Sequence, residues 1–558
     1  MVSQIKDDKG NVTSVMNKVN EKGDWEKWSK NLSSQFLSKQ SPELAKSQLD
    51  MTYERRLSEF NEIKSLTNDT VRKRLLSDFA DGTAAASQHL KARSLPQQSV
   101  AVILPISTIK PGEVFAPRHV NGERVVLVRH PHGGTFEIPE LIVNNRNAEA
   151  RKLIGPLSSD AIGIHHTVAA RLSGADFDGD TVLVIPNNQR LVKTTPALRD
   201  LAGFDPHHTY RGTDDSPKMK ATQHEMGTIS NLITDMTLKG APPEHIARAV
   251  KHSMVVIDAE KHGLNYRASY NDNNIKELKI KYQGGANKGA STLISKRKKE
   301  IRRPQTQLRP HRLGGPVDKV TGELVYVPTN RLKKDGTPVM ERVPLLRETR
   351  DARQLMSNNG IGVRMERLYA DHSNRLKGLA NQARLAAENT PPGKRSPSAA
   401  KVWAKEVESL NHSLDLAQRT KPLERQANTI ANKTIRLRKE ANPTMDKDTE
   451  KKIRFQAITE ARNRLGLGSK NRINISQSEW DAIQAGAISD SKLKQILDYA
   501  DMDKVRKLAT PNTQKTVTRT MINRAKQMAE SGFTLQEIAE QLRISPSSVS
   551  EALGEENG

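Results

Sequence analysis

Apolar positions along the chain change period several times, and each change marks an element. Trp28, Leu32, Phe36 and Leu37 recur at helical spacing, as do Ile63, Val71, Leu75, Leu76 and Phe79. Helices are therefore predicted from about Trp25 to Arg93, interrupted at Pro42 and at Thr67-Asn-Asp69. From Ser99 the pattern turns β-like. Val100-Ala-Val-Ile-Leu104, Glu123-Arg-Val-Val-Leu-Val128, Thr135-Phe-Glu-Ile138 and Val182-Leu-Val-Ile185 are short apolar runs punctuated by Gly and Pro. Helical spacing returns in Met226–Ile233 and His245–Ile257, then in Leu368–Leu379 and Trp403–Leu410 around the break at Pro391-Pro-Gly. Leu324-Val-Tyr-Val327 behind Thr321-Gly322 fits a hairpin strand.

The C-terminus carries its own signature. Thr534–Leu542 is a short amphipathic helix, with Glu537 near a capping-box position. Arg543-Ile-Ser makes a turn, and Ser545 with Pro546 starts a second helix to Leu553. With a helix around Met521–Met528, this resembles the helix-turn-helix domain of small transcription regulators. Ser547, Ser548 and Ser550 would face a major groove, with Arg543 near phosphate. A protein-binding three-helix tail is the other reading.

Composition narrows the function. The 558 residues carry a net charge of +25, with 35% hydrophobic and only 4% aromatic content. That predicts several small cores joined by polar helices, and binding to nucleic-acid phosphates. There is no cysteine, which removes disulfides and thiolate zinc sites and is compatible with a reducing cytoplasm. No stretch reaches the length of a membrane span, and the charged, polar N-terminus argues against a signal peptide. Residues 1–22 read as a polar, poorly ordered lead.

The densest chemistry lies in Leu172-Ser-Gly-Ala-Asp176-Phe-Asp178-Gly-Asp180-Thr181. Three carboxylates at alternate positions would repel one another in a regular strand. Gly174 and Gly179 instead suggest a tight loop that converges them on a cation, and oxygen donors alone point to Mg²⁺. A calcium loop fits less well, because the glycine comes at the fourth position and Asn187 at the twelfth. A solvated acidic turn is the third reading.

Ala175-Asp-Phe-Asp-Gly-Asp180 resembles the magnesium-binding signature of the β′-type double-psi β-barrel found in multisubunit and RNA-silencing-type RNA polymerases. Ile164-His165-His-Thr-Val168 resembles the Leu-His-Pro-Leu-Val that precedes those aspartates. Val128-Arg129-His-Pro131 resembles an Asn-Arg-x-Pro whose arginine contacts the incoming nucleotide. Lys251-His-Ser253 through Asp258, Lys261 and Gly263 is similar to a stretch of the silencing-type branch, with one extra residue before the aspartate. Spacing is closest to the compact single-chain enzymes of phages, and the likeness covers residues 95–290.

The resemblance implies an α+β protein with one double-psi β-barrel. It implies a nucleotidyltransferase acting as the β′-like half of a template-directed RNA polymerase, phage or prophage encoded and working in the host cytoplasm. Asp176, Asp178 and Asp180 would hold Mg²⁺ and be catalytic. Arg129 and Lys261 would bind nucleoside triphosphate or template. Read alone, Arg129 is a strand-end partner for a carboxylate, and Lys261 is equally a solvent-facing partner for Asp258 at i, i+3. His130, His132 and His165 lack a completed metal set and read as structural or as nucleic-acid contacts; Gln223 and Glu225 are candidates beside the site.

The family builds its site between two barrels, and the partner barrel supplies lysines. Only one barrel fits here before Asp176, so a second polypeptide is expected to supply the other. The alternative is a non-catalytic DNA-binding regulator that keeps the barrel as scaffold. The template is DNA or RNA, and the C-terminal domain tilts toward DNA. The expected organisation is a helical leader or connector (1–94), the barrel with its metal loop (95–210), active-site helices (211–283), a basic loop and hairpin (284–350), a charged helical region (351–515) and the helix-turn-helix (516–558). In the basic segment Lys296, Arg297, Lys298, Lys299, Arg302 and Arg303 are candidate phosphate contacts, although a charge run is also an ordinary solvated face.

Overall fold

The computed structural model describes residues 31–130, 132–172, 175, 177, 179–213, 216–297, 299–357, 362–442, 447–467, 472–510, 519–530, 533 and 535–542, together with the backbone of 5–6 and 12–14. Ile5–Lys6 pairs with Val12–Ser14; the rest of residues 1–30 lies outside the described residues.

The β-rich segment closes into a barrel of β1 (Ser99–Pro105), β2 (Glu113–Phe115), β3 (Arg124–Val128), β4 (Glu140–Val143), β5 (Ala161–Ile164) and β6 (Thr181–Pro186). The strand order around it is β6-β1-β5-β2-β4-β3, with β3 returning to β6. The pairs β1–β5 and β2–β4 are parallel and the others antiparallel. Exchanging the first three strands for the last three maps this order onto itself and interchanges the two parallel pairs. The barrel is therefore built of two equivalent three-strand halves.

Alternation sets its two faces. Val125, Leu127, Val182 and Val184 fill the interior with Ala101, Ile103 and Ile162. Val126, Val128, Leu183 and Ile185 point outward into a second core under the helices. Both faces are buried, which is why these strands read as continuous apolar runs.

Thr135–Glu137, expected as a strand, is a short 3-10 turn, and the strand is Glu140–Val143 instead. Gly133 and Gly134 bend the chain before it, and Phe136 turns away from the barrel into a helical core with Ile229, Met236 and Val250. Strands β2, β4 and β5 were too short, at three or four residues, to show a period.

Helices cover the barrel. α1 (Pro42–Lys64) starts at Ser41, whose hydroxyl accepts from the Leu44 amide, with proline in the first turn. α2 (Asp69–His89) is capped by Asn68. α3 (Thr222–Leu238), α4 (Pro243–His262) and α6 (Ile275–Gln283), with α5 (Tyr266–Asp272) between the last two, form a layer whose core holds Phe136. α7 (Val363–Glu388) lies along α1 and α2. α8 (Ala404–Ala441) is a 38-residue helix paired with α9 (Lys447–Arg464) through Ala427, Ala431, Ala457 and Ala461. α10 (Gln477–Gln484), α11 (Asp490–Leu497) and α12 (Met502–Ala509) share one core with α2 and the ends of α1, α7 and α8.

α13 (Arg519–Glu530) and α14 (Leu535–Leu542) meet through Met528 and Ile538 and pack on Met51, while Arg93 lies over the Phe533 ring. The turn and second helix of the expected helix-turn-helix, with Arg543, Ser547, Ser548 and Ser550, lie outside the described residues. No described helix is long and apolar enough to cross a membrane.

Candidate active site at the barrel mouth

The aspartate loop enters β6 at one mouth of the barrel. Ala175 and Phe177 pack against the barrel interior. Phe177 has φ +63° and Gly179 φ +115°, so two left-handed residues turn the chain within three positions. Glycine suits that conformation, but phenylalanine there is strained, at a cost of about 1–3 kcal/mol. Packing of its partly buried ring against the barrel core offsets part of that cost. Asp176, Asp178, Ser173 and Gly174 lie outside the described residues.

Asp180 is held from two sides. Its carbonyl accepts from the Ile103 amide at 3.1 Å, extending the β6–β1 ladder by one residue. Its Oδ1 accepts from Arg129 Nη2 at 2.7 Å, and both side chains are only 15% exposed. By alternation, Arg129 continues the inward row of Val125 and Leu127, and Asp180 that of Val182 and Val184. The pair therefore closes the mouth of the barrel core. The structure joins two residues singled out separately in the sequence, and the carboxylate that a strand-end arginine would seek is Asp180.

Behind Arg129 lies a buried polar cluster that sequence reading passed over. Lys39 Nζ donates to the His132 carbonyl at 2.6 Å, and burial pulls its pKa down to about 8 against the pull of Glu137. Burial and the Lys39 charge press His130 down to about 4 and His132 well below the usual imidazole value. Both rings meet Phe36 edge-on, and Glu137 Oε2 accepts from the Gly133 amide at 2.5 Å. These are neutral scaffold histidines that shape the loop after Arg129. Lys39 sits 93 residues from its partner, and nothing local marks it.

α4 is laid on that loop. A Cβ on Gly133 would stand 2.6 Å from Val250 Cγ2, so the glycine is what admits the helix so close. Lys261 lies eleven residues further along α4, about 16 Å from that contact, exposed in the last turn. Its expected partner Asp258 faces His207 at 3.5 Å. Gln223 and Glu225 occupy the first turn of α3. His165 caps the short helix His166–Ala169, its Nδ1 accepting from the Thr167 amide.

The basic candidates separate into two kinds. Lys296 Nζ donates to the Leu355 carbonyl at 2.9 Å, and Arg297 to the His89 carbonyl at 2.9 Å. Burial lowers the pKa of both. Arg303 is bound by Glu341 and Glu348. Lys299 and Arg302 are exposed, and Lys298 lies outside the described residues. Three of the five described cations thus brace the fold, and two face solvent.

Among the described residues no group of three or more His, Asp or Glu could hold a metal ion; two of the three aspartates are not among them. No family model matches the sequence, and no curated protein matches it.

Proposed function

We propose that the chain is the β′-like catalytic half of a template-directed RNA polymerase of phage or prophage type, with the lysine-bearing second barrel on a partner polypeptide. The observation that carries this reading is the junction at the barrel mouth. A loop with three aspartates turns through two left-handed residues, and its last carboxylate meets Arg129, at the end of the neighbouring strand β3, at the mouth of a closed, internally symmetric six-stranded barrel. Two equivalent three-strand halves are in keeping with the double-psi type. One closed barrel is present among the described residues, the other sheets having two strands each.

The donor set fits magnesium. Asp176, Asp178 and Asp180 offer hard oxygens only, and Asp180 is fixed by its strand and by Arg129. Bound there, Mg²⁺ would activate a 3′ hydroxyl and neutralise the charge of a leaving pyrophosphate. The chain's own residues do the positioning. β1 and β6 hold Asp180, the histidine-lined loop holds Arg129, and the guanidinium at the mouth would meet a nucleotide's phosphates or ribose. The net charge of +25 and the exposed cations of residues 299–344 suit a nucleic-acid template. Duplex DNA is favoured over RNA by the sequence of residues 534–553.

The test is labelled-nucleotide incorporation with Mg²⁺, by the chain alone and with a lysine-bearing barrel subunit, on DNA and RNA templates, beside Asp178→Ala. Synthesis lost in the variant establishes the polymerase, and the preferred template decides the branch. No synthesis in any combination, with duplex binding untouched by the variant, favours instead a DNA-binding regulator that keeps the barrel as scaffold.

A further inference from the structure

Between α6 and α7 the chain builds a branched β-arm. β7 (Glu300–Pro304) pairs with β10 (Met340–Pro344), and β8 (Thr306–Leu308) with β9 (Tyr326–Pro328). Gln305 is the branch point, its amide donating to the Val339 carbonyl and its carbonyl accepting from the Thr329 amide. One branch, 309–325, is docked: Gly322 (φ +73°) rests on α7 so closely that a Cβ would lie 2.3 Å from the Asn381 carbonyl oxygen. The other branch, 329–340, projects, with every residue from Arg331 to Pro338 exposed.

The projecting branch is a built hairpin. The Val339 amide bonds the Arg331 carbonyl at 2.9 Å, the Lys333 amide the Thr337 carbonyl at 2.8 Å, and the Gly336 amide the Lys333 carbonyl at 3.0 Å. Gly336 is left-handed (φ +78°), and Asp335 Oδ1 accepts from both the amide and the hydroxyl of Thr337. This is the turn chemistry of a tight hairpin. Its one non-polar face is Leu332 opposite Pro338, with Leu332 63% exposed, and Arg331, Lys333 and Lys334 flank it.

The stem carries a second anomaly. On its inner face Arg303 stands opposite Glu341 and bonds it. On its outer face Arg302 stands directly opposite Arg342, both exposed. Like charges across a strand pair destabilise it; Glu300, 3.9 Å from Arg342, offsets part of this, and an anion between the two guanidinium groups removes the remainder. Arg342 lies four positions beyond Pro338, about 13 Å of extended chain, or about four base-pair steps along one strand.

We propose that the arm is a duplex-DNA wedge: Arg302 and Arg342 seat a backbone phosphate, and Leu332 with Pro338 enters between base pairs and bends the helix. A cationic ribbon with an apolar tip matches the way side chains unstack and kink B-form DNA from its groove; the narrow, deep groove of duplex RNA does not admit it. The inference rests on the reading that the chain works on nucleic acid, and not on its making RNA.

The experiment uses the full chain and a 30-base-pair DNA duplex carrying a donor and acceptor dye at its ends, with duplex RNA in parallel. Binding of the unaltered chain brings the dyes together on DNA. Leu332→Ser, an exposed change that leaves the hairpin's backbone bonds intact, binds within threefold but no longer bends, while Leu332→Met bends normally. Arg302→Ala/Arg342→Ala lowers affinity at least tenfold and reduces the slope of log affinity against log salt by about 1–2. Asp178→Ala bends like the unaltered chain whether or not that chain makes RNA, which separates the wedge from the polymerase. No DNA binding, binding without bending, or bending that survives Leu332→Ser overturns the proposal, as does equal bending of RNA.

Discussion

The Arg129–Asp180 contact at the barrel mouth can be measured as a coupling. Two unit charges about 4 Å apart attract by about 4 kcal/mol at an effective dielectric constant of about 20. Desolvation of two side chains that are each 15% exposed offsets part of this. A coupling of about 2 kcal/mol is expected between Arg129→Met and Asp180→Asn. Each single change leaves a mostly buried group facing a lost partner and costs about 2–3 kcal/mol, and the double change costs less than their sum. The chain has several separate cores, so one global unfolding energy is not defined. Amide hydrogen exchange read by mass spectrometry over β1, β3 and β6 reports the local opening instead. The singles should exchange about 30-fold or more faster there, with α10–α12 unchanged, and the double should recover by about 30-fold relative to additivity. Strict additivity, or acceleration under threefold in Asp180→Asn, would refute the pair as the clamp of the barrel mouth. Repeating the measurement with Mg²⁺ separates roles: added ion should slow exchange in Arg129→Met but not in Asp180→Asn.

Three further outcomes follow from the geometry. Asp235 is fully buried and accepts from Gln283, the amides of Ser291 and Thr292, and the hydroxyls of Thr292 and Ser295. Asp235→Ala should cost about 3–5 kcal/mol and expose the entry to the arm to limited proteolysis, and an unchanged cleavage pattern would count against that anchoring role. Gly322→Ala places a methyl group against the Asn381 carbonyl at a left-handed residue, so exchange in 310–325 should rise while the stem is unaffected. His252 and His372 are buried, with burial holding both pKa values down to about 4. The folded state resists their protonation, so stability is full above about pH 6.5 and falls as pH drops toward 4, by up to about 3 kcal/mol for each. Exchange protection over α4 and α7, corrected for the intrinsic rate, that is independent of pH between 7 and 4.5 would contradict this, and His252→Gln should flatten the fall over α4.

What the sequence determined by itself was local. The breaks at Pro42 and at Thr67-Asn-Asp69 and the β-like apolar runs could be read, because caps, period and turn residues act within a few positions. Short strands such as Glu113–Phe115 escaped, since three residues carry no period, and Thr135–Ile138 was misread because the burial of Phe136 is supplied by helices about a hundred residues later. Tertiary structure alone decided which groups meet. Arg129 finds Asp180 51 residues on, Lys39 finds His132 across 93, and Arg297 is drawn to a carbonyl 208 residues away. Those encounters are set by the strand order of the closed barrel and by the helices packed on it. Pairing across the fold, unlike a cap or a turn, leaves no imprint on neighbouring residues. It is this order that turned two scattered motifs into one barrel mouth, and half of a basic run into braces for the fold.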